Sequence, residues 1–310
     1  MSDIFELRAR KPSLLMRLLT WFVSKQPKVF PDDPAELRHL LATRPAPEDA
    51  PMPDKFNTRF QVERWQCEGH ECVTLHPRSG KGEGHILYFH GGGFILPILE
   101  VHWPLIAALI DTTGASVSVP LYPVVPEADH SAAEAMADAL FAKISQDWSP
   151  ETITLMGDSA GGNLAAALAL RLAEAGGPQA GKLVLFAPWL DVTLSDEAAR
   201  GIEPHDIMLR VDALRVMGEK WAGARDPRDA LVSPLYASQQ QFLQLPPTAI
   251  FQGQHDLFVV DCRTYAKRAA EAGKPVRLYE YAGAPHVFMA LLPTREAKDC
   301  LRLVAEFMRG

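Results

Sequence analysis

Thr152-Ile153-Thr154-Leu155-Met156-Gly157-Asp158-Ser159-Ala160-Gly161-Gly162-Asn163-Leu164-Ala165 is the stretch on which the reading of this chain turns. Thr152 to Met156 is short, apolar and β-rich, the composition of a buried strand. Ala160 to Ala175 is dense in alanine and leucine and runs into Gly176-Gly177, the signature of a helix and its stop. Between them sits Gly157-Asp158-Ser159-Ala160-Gly161. A serine with glycines two residues before and after it, at a strand-to-helix turn, is the pattern of a nucleophile held on a tight, strained bend. The glycines let strand and helix approach closely. On its own the pattern also fits a glycine-rich helix start that only packs or binds an anion. Its meaning depends on what the rest of the chain brings to it.

Outward from this bend the pattern alternates. Phe60 to Trp65, Cys72 to His76, Ile86 to Phe89, Ala115 to Val119, Lys182 to Phe186, Thr248 to Phe251 and Val276 to Tyr281 read as strands. Ser131 to Ile144, with Ser131 as N-cap and Glu134 three residues on, reads as a capped helix. Asp261 to Ala272 and Pro293 to Met308 read as further helices. Short apolar runs alternating with helices predict an α/β fold: a mainly parallel central sheet with helices on both faces. In such sheets ligands bind at the carboxyl ends of the strands, so chemistry is sought just after each strand.

Three such positions matter. The strand ending at Phe89 runs into His90-Gly91-Gly92-Gly93. Glycine backbones present N–H groups without obstruction, and a tetrahedral intermediate needs preorganised donors. Ala160, just after the serine, would add one more N–H from the helix start to those of this glycine run. The strand ending at Phe251 runs into Gln252-Gly253-Gln254-His255-Asp256, and the next one into Ala282-Gly283-Ala284-Pro285-His286. A serine nucleophile needs a base, and the base an orienting acid, in the chain order Ser, Asp or Glu, His. Ser159, Asp256 and His286 satisfy that order at equivalent strand ends. Asp261 competes with Asp256, but it opens a helix, where a carboxylate suits the dipole. His255, His205, His102 and His130 read as structural, surface or cap residues. Asp158 reads as a support for the bend.

Residues 44 to 53 carry Pro45, Pro47, Pro51 and Pro53, which cannot donate to a ladder or helix, and read as a linker. Residues 1–55 are therefore set apart as an N-terminal helical cap segment and linker. Residues 56–310 form the catalytic domain, with a cap insertion at about 196–246, too long for an ordinary crossover. Leu14 to Val23 is an apolar run interrupted by Arg17, too short to span a bilayer. It reads as an amphipathic helix packed on the main body, with contact at a membrane surface as the other reading. Phe94, Ile95, Trp189, Ile207, Met208, Leu257, Val287 and Phe288 flank the expected site or lie in its cap. Apolar residues there suit an ester-binding pocket, and equally suit plain core.

The bulk numbers narrow the classes. The 310 residues are 47% hydrophobic and 22% charged, as in a globular protein, with a net charge of −7. That balance gives no electrostatic reason to bind nucleic acid. Cys67, Cys72, Cys262 and Cys300 have no zinc-type spacing. Cys67 and Cys72 lie close enough for a disulfide, but four reduced thiols in a cytoplasmic enzyme is the expectation.

At these residues the chain resembles the hormone-sensitive-lipase-like esterases of the α/β-hydrolase fold. His90-Gly91-Gly92-Gly93-Phe94 matches that family's oxyanion motif, and Gly157 to Ala165 its nucleophile bend. Ala187-Pro188-Trp189-Leu190-Asp191 and Leu231-Val232-Ser233-Pro234-Leu235-Tyr236 are similar to segments of bacterial members. Where members often carry Tyr-Arg-Leu-Ala-Pro-Glu, this chain has Tyr122-Pro123-Val124-Val125-Pro126-Glu127. The resemblance implies a serine carboxylic-ester hydrolase acting through an acyl-enzyme on small to medium neutral esters, without metal or cofactor, with Gly91, Gly92 and Ala160 as its oxyanion donors. A lactone or amide hydrolase with the same residues, or a ligand-binding protein without catalysis, are the alternatives. No stable membrane insertion is expected, and a homodimer through the last helix is the candidate assembly.

Overall fold

A computed structural model describes residues 5–9, 11–26, 28, 30–80, 82 and 84–310. Among them the chain forms one nine-stranded sheet. Its strands are β1 (Phe5–Ala9), β2 (Phe60–Cys67), β3 (His70–Pro77), β4 (His85–Phe89), β5 (Ser116–Pro120), β6 (Ile153–Asp158), β7 (Lys182–Phe186), β8 (Thr248–His255) and β9 (Arg277–Pro285). The spatial order is β1-β9-β8-β7-β6-β4-β5-β3-β2. Only β2–β3 and β3–β5 are antiparallel; every other pairing is parallel.

The helices are α1 (Leu14–Val23), α2 (Pro34–Thr43), α3 (Lys55–Arg59), α4 (His102–Thr113), α5 (His130–Ile144), α6 (Ala160–Ala175), α7 (Ala199–Ile202), α8 (Val211–Ala222), α9 (Gln239–Gln244), α10 (Val259–Glu271) and α11 (Arg295–Arg309). They cover both faces of the sheet and divide the core into two layers. One holds Leu87, Leu155, Leu185, Leu164 and Leu168; the other holds Tyr88, Met156, Phe186, Trp103 and Val304. The central strands β4, β5 and β6 are buried along their whole length. That explains why they read as continuous apolar runs rather than alternating ones.

Three local expectations are corrected. The N-cap of α5 is Asp129, not Ser131; the Asp129 carboxylate accepts from the Ser131 N–H at 2.9 Å. Glu134 meets the guanidinium groups of Arg225 and Arg171 instead of closing a capping box. The N-terminal segment opens with a strand, β1, that extends the sheet beside β9. Finally, α1 buries only Met16 fully and turns Leu14, Leu18, Trp21 and Phe22 outward.

The insertion between β7 and β8 carries α7, α8 and α9. Helix α8 packs against α2. Arg38 of α2 meets Glu219 of α8 at 2.6 Å, and Arg210 reaches Asp32 at 3.6 Å. Helix α11 buries Ala297, Cys300, Leu301, Val304 and Phe307 and packs against α4 of the same chain. Cys67, Cys72, Cys262 and Cys300 are all buried and free.

Candidate active site

The site is assembled from the carboxyl ends of β4, β6, β8 and β9. Ser159 ends β6 with φ 54° and ψ −120°, a conformation non-glycine residues rarely adopt. The surroundings enforce it. The Ser159 N–H donates to the Phe186 carbonyl at 2.9 Å, and the Ser159 carbonyl accepts from the Trp189 N–H at 3.0 Å. A Cβ on Gly157 would lie 2.3 Å from the Gly161 carbonyl oxygen, and one on Gly161 2.1 Å from the Phe89 carbonyl oxygen. Strand, bend and helix are therefore in backbone contact, which only glycine permits.

The hydroxyl of Ser159 lies 3.0 Å from His286 Nε2, and His286 Nδ1 lies 2.8 Å from Asp256 Oδ2. A carboxylate only accepts, so Nδ1 carries the hydrogen and Nε2 is left to accept from the serine. Asp256 is fully buried, and its Oδ1 accepts from the Phe258 N–H at 2.9 Å. Burial alone pushes the His286 imidazole down. The adjoining Asp256 charge and hydrogen bond, with help from Asp206 and Asp158, outweigh it and hold His286 above the ordinary imidazole value. Phe258 stands edge-on to the His286 ring at 5.3 Å.

Asp261 lies elsewhere, buried in the first turn of α10. Burial, reinforced by Asp191 and Asp196, pushes its carboxyl well above the usual range, and its Oδ2 has no hydrogen-bond partner among the described residues. It faces none of the three residues just described through a hydrogen bond.

The glycine loop differs from expectation at one position. The Gly91 N–H, expected to face an oxyanion, donates to Asp158 Oδ1 at 3.0 Å. Asp158 also accepts from the Tyr88 hydroxyl at 2.6 Å and faces His102 Nε2 at 3.5 Å. A short buried carboxylate thus uses up that amide. The N–H groups of Gly92, Gly93 and Ala160 make no hydrogen bond among the described residues. Of the two glycine amides expected to be open, Gly92 and Gly91, only that of Gly92 is, and Gly93 offers the second open one. Its φ of +63° is a glycine conformation, and Met217 of α8 sits 2.9 Å from where its Cβ would be.

The loop is braced from behind. His90 Nδ1 donates to the Gly91 carbonyl at 2.7 Å, and its ring stacks on Tyr122 at 4.3 Å. The Tyr122 hydroxyl donates to the His90 carbonyl at 2.6 Å, and the Val125 N–H to the Phe94 carbonyl at 2.8 Å. Burial drives His90 down to about 3, so it stays neutral. The segment Tyr122 to Glu127, which departs from the resembled pattern, still performs this bracing.

The pocket candidates separate into two groups. Phe94 stacks on Trp221 of α8 at 4.0 Å and on Trp189 at 5.4 Å; Trp189 in turn stacks on Phe258 at 5.7 Å. Ile95 and Leu257 are buried in the same layer. Phe288 is not with them. It packs beside Tyr281 in the other layer, with ring centroids 4.4 Å apart. Ile207 and Val287 are half-buried, and Met208 is exposed on the cap.

Asp206, in the cap, escaped the sequence reading. Its Oδ1 accepts from the Met208 and Leu209 N–H groups, and its Oδ2 from the Leu257 N–H at 3.0 Å. It thereby fastens the cap to the loop that carries Asp256. Burial, then the Asp256 charge, raise its carboxyl to about 6. Nothing in its local sequence distinguishes it from an ordinary loop carboxylate. The two segments noted for their resemblance also meet here. The Tyr236 hydroxyl donates to Asp191 at 3.0 Å, and Asn163 donates to the carbonyls of Trp189 and Val232.

Comparison with known proteins places this geometry. A family described as the alpha/beta hydrolase fold matches residues 86–290. An esterase of Acinetobacter venetianus is 35% identical over 72% of this chain and 73% of its own length. An acetyl-hydrolase of Streptomyces hygroscopicus is 32% identical over 78% and 80%. Among solved structures, a hormone-sensitive lipase from a metagenome library superposes with a TM-score of 0.75 at 29% identity, covering 95% of this chain and 96% of that one. A bacterial esterase of the hormone-sensitive lipase family reaches 0.80 at 24% identity, over 96% and 98%. No helix among the described residues is long and apolar enough to cross a membrane. The chain belongs to the α/β-hydrolase fold family, among its hormone-sensitive-lipase-like members, and is an ester hydrolase of the carboxylesterase type.

Proposed function

We propose that the protein is a serine esterase that cleaves small to medium neutral esters through an acyl-enzyme. The observation that carries this is the hydrogen-bonded run from Ser159 Oγ through His286 to Asp256, beside amides without partners. In this reading His286 Nε2 takes the Ser159 proton as the oxygen attacks the ester carbonyl. Asp256 holds the tautomer and stabilises the imidazolium. The carbonyl oxygen becomes an oxyanion against the N–H groups of Gly92, Gly93 and Ala160. Collapse expels the alcohol, which takes the proton from His286. Water then attacks the acyl-enzyme by the same steps, restoring free serine and releasing the acid.

The aromatic wall of Phe94, Trp189 and Trp221, at the cap side of the glycine loop, supports an apolar acyl group. The names of the Acinetobacter and Streptomyces relatives, esterase and acetyl-hydrolase, support a short one. Two further parts of the proposal concern organisation and place. Residues 1–55 act with the insertion at 196–246 as one cap over the catalytic domain, supported by the α2–α8 contact and the Arg38–Glu219 pair. A cytoplasmic location is supported by four free, buried thiols.

The deciding experiment is a rate panel of p-nitrophenyl esters, lactones and anilides with the purified chain, together with fluorophosphonate labelling. The proposal expects stoichiometric labelling at Ser159 and highest kcat/KM on the esters. Labelling with highest kcat/KM on lactones or anilides would replace the substrate class. No labelling would favour a binding protein.

A further inference from the structure

Helix α1 shows solvent the side that amphipathic helices normally hide. Leu14, Leu18, Trp21 and Phe22 are 80, 59, 59 and 56% exposed. They lie at i, i+4, i+7 and i+8, one stripe along the helix. The opposite side is anchored. Met16 is buried in the core layer that also holds Phe288 and Met289, and the Ser13 N–H and hydroxyl donate to Glu296 at 2.6 and 2.7 Å.

The charge around the stripe is one-sided. Residues 7 to 31 contain Arg8, Arg10, Lys11, Arg17, Lys25 and Lys28 and no acidic residue, in a chain whose net charge is −7. Arg8 is engaged by Asp299, and Lys28 by Asp32. Lys11, Arg17 and Lys25 form no ion pair among the described residues. A second copy of this chain docking stripe to stripe would bring these cations against each other. An anionic surface is the complement they fit. Leu, Trp and Phe on a short helix that carries Arg17 and is flanked by Lys11 and Lys25 is a composition that settles into the boundary between headgroups and acyl chains.

The position gives this surface a direction. Pro12 packs on Gly283, with its Cγ 2.9 Å from where a Cβ would sit. Gly283 is three residues before His286 on the same strand end. The residue that leads into the helix therefore packs on the strand whose end carries His286.

We propose that α1 is a peripheral docking helix for bilayers that contain anionic phospholipid. It lays Leu14, Leu18, Trp21 and Phe22 into the interface, and sets Lys11, Arg17 and Lys25 against the headgroups. The helix lies in the membrane plane and does not cross it. The docked orientation turns the site's rim toward the phase where apolar esters dissolve. The docking itself is independent of catalysis.

The test is sedimentation of the full chain with vesicles of phosphatidylcholine alone, or with about 30 mol% phosphatidylglycerol. The proposal expects at least tenfold tighter binding to the anionic vesicles at low salt, lost near about 0.5 M salt. Leu18→Glu and Trp21→Glu should each weaken it about tenfold or more, and Trp21→Phe much less. Hydrolysis of a water-soluble ester without lipid should be the same in all three variants, which certifies the fold. Equal binding to both vesicles, no binding to either, or binding indifferent to Leu18→Glu and Trp21→Glu would overturn the proposal. So would a dimer in sedimentation equilibrium that Trp21→Glu dissolves without any vesicle binding, because the stripe would then belong to a second copy.

Discussion

Asp158 and Gly91 are joined by a 3.0 Å hydrogen bond that ties the bend carrying Ser159 to the glycine loop. The same carboxylate takes the Tyr88 hydroxyl. The bend and the glycine loop are thus held together by a side chain outside the hydrogen-bonded run of Ser159, His286 and Asp256. Asp158→Ala leaves the hydroxyl and the amide buried without partners, each costing about 1–3 kcal/mol. We expect chemical denaturation to show a loss of about 2–5 kcal/mol, and Asp158→Asn, which keeps one acceptor oxygen, to lose less. A change below about 0.5 kcal/mol for the alanine variant would contradict this role.

The two carboxylates that compete for the acid position should separate cleanly by kinetics. Asp256→Asn removes the charge that fixes the His286 tautomer, and kcat should drop on the order of 10⁴-fold. Asp261→Asn should keep most activity. Equal losses would reverse the choice of acid.

Asp261 also yields a stability prediction. Its folded carboxyl titrates above its unfolded value, so the folded state binds more protons across that interval. Stability from this group is present at low pH and is lost as pH rises from the ordinary carboxyl range toward the raised value. Asp261→Asn should therefore flatten the decline of unfolding free energy between weakly acidic and alkaline pH. An unchanged slope would show that Asp261 is ionised in the folded protein.

Asp206 bears on the pH profile. Its charge helps hold His286 above the ordinary imidazole value, and in the proposed mechanism the neutral imidazole is the base. Activity should decline as pH falls through that raised value. Around Asp206 stand Asp256 and His286, the amides of Met208, Leu209 and Leu257, and the nearby stacked His205 and His255 rings. Asp206→Asn removes a negative charge, so the acid limb of kcat/KM should move to lower pH. A limb that stays in place while overall activity falls would make Asp206 a purely mechanical strap.

The sheet was legible because β4, β5 and β6 are buried along their whole length, and uninterrupted apolar runs bounded by turn residues mark such strands. The meeting of Ser159, His286 and Asp256 was legible for a related reason: strand ends leave recognisable turn chemistry, as in Gly157 to Gly161. Helix α4 was missed because Leu105, Ile106, Leu109 and Ile110 are buried on several sides, which erases the polar face that periodicity needs. Strand β1 was missed because a short parallel edge strand depends on β9, almost the whole chain away. The capture of the Gly91 amide by Asp158 was not legible, because it is a contact between two strand ends that no local pattern encodes. Asp206 acts at a distance of fifty residues from Asp256, for the same reason beyond reach of local reading.

The central claim is that Ser159 attacks the ester. Its most direct measurement is the turnover of p-nitrophenyl acetate by Ser159→Ala, with wild-type protein as reference and thermal unfolding as a check on the fold. The account expects kcat to drop on the order of a millionfold with the fold intact. A folded Ser159→Ala protein that keeps activity within about tenfold of wild type would contradict it.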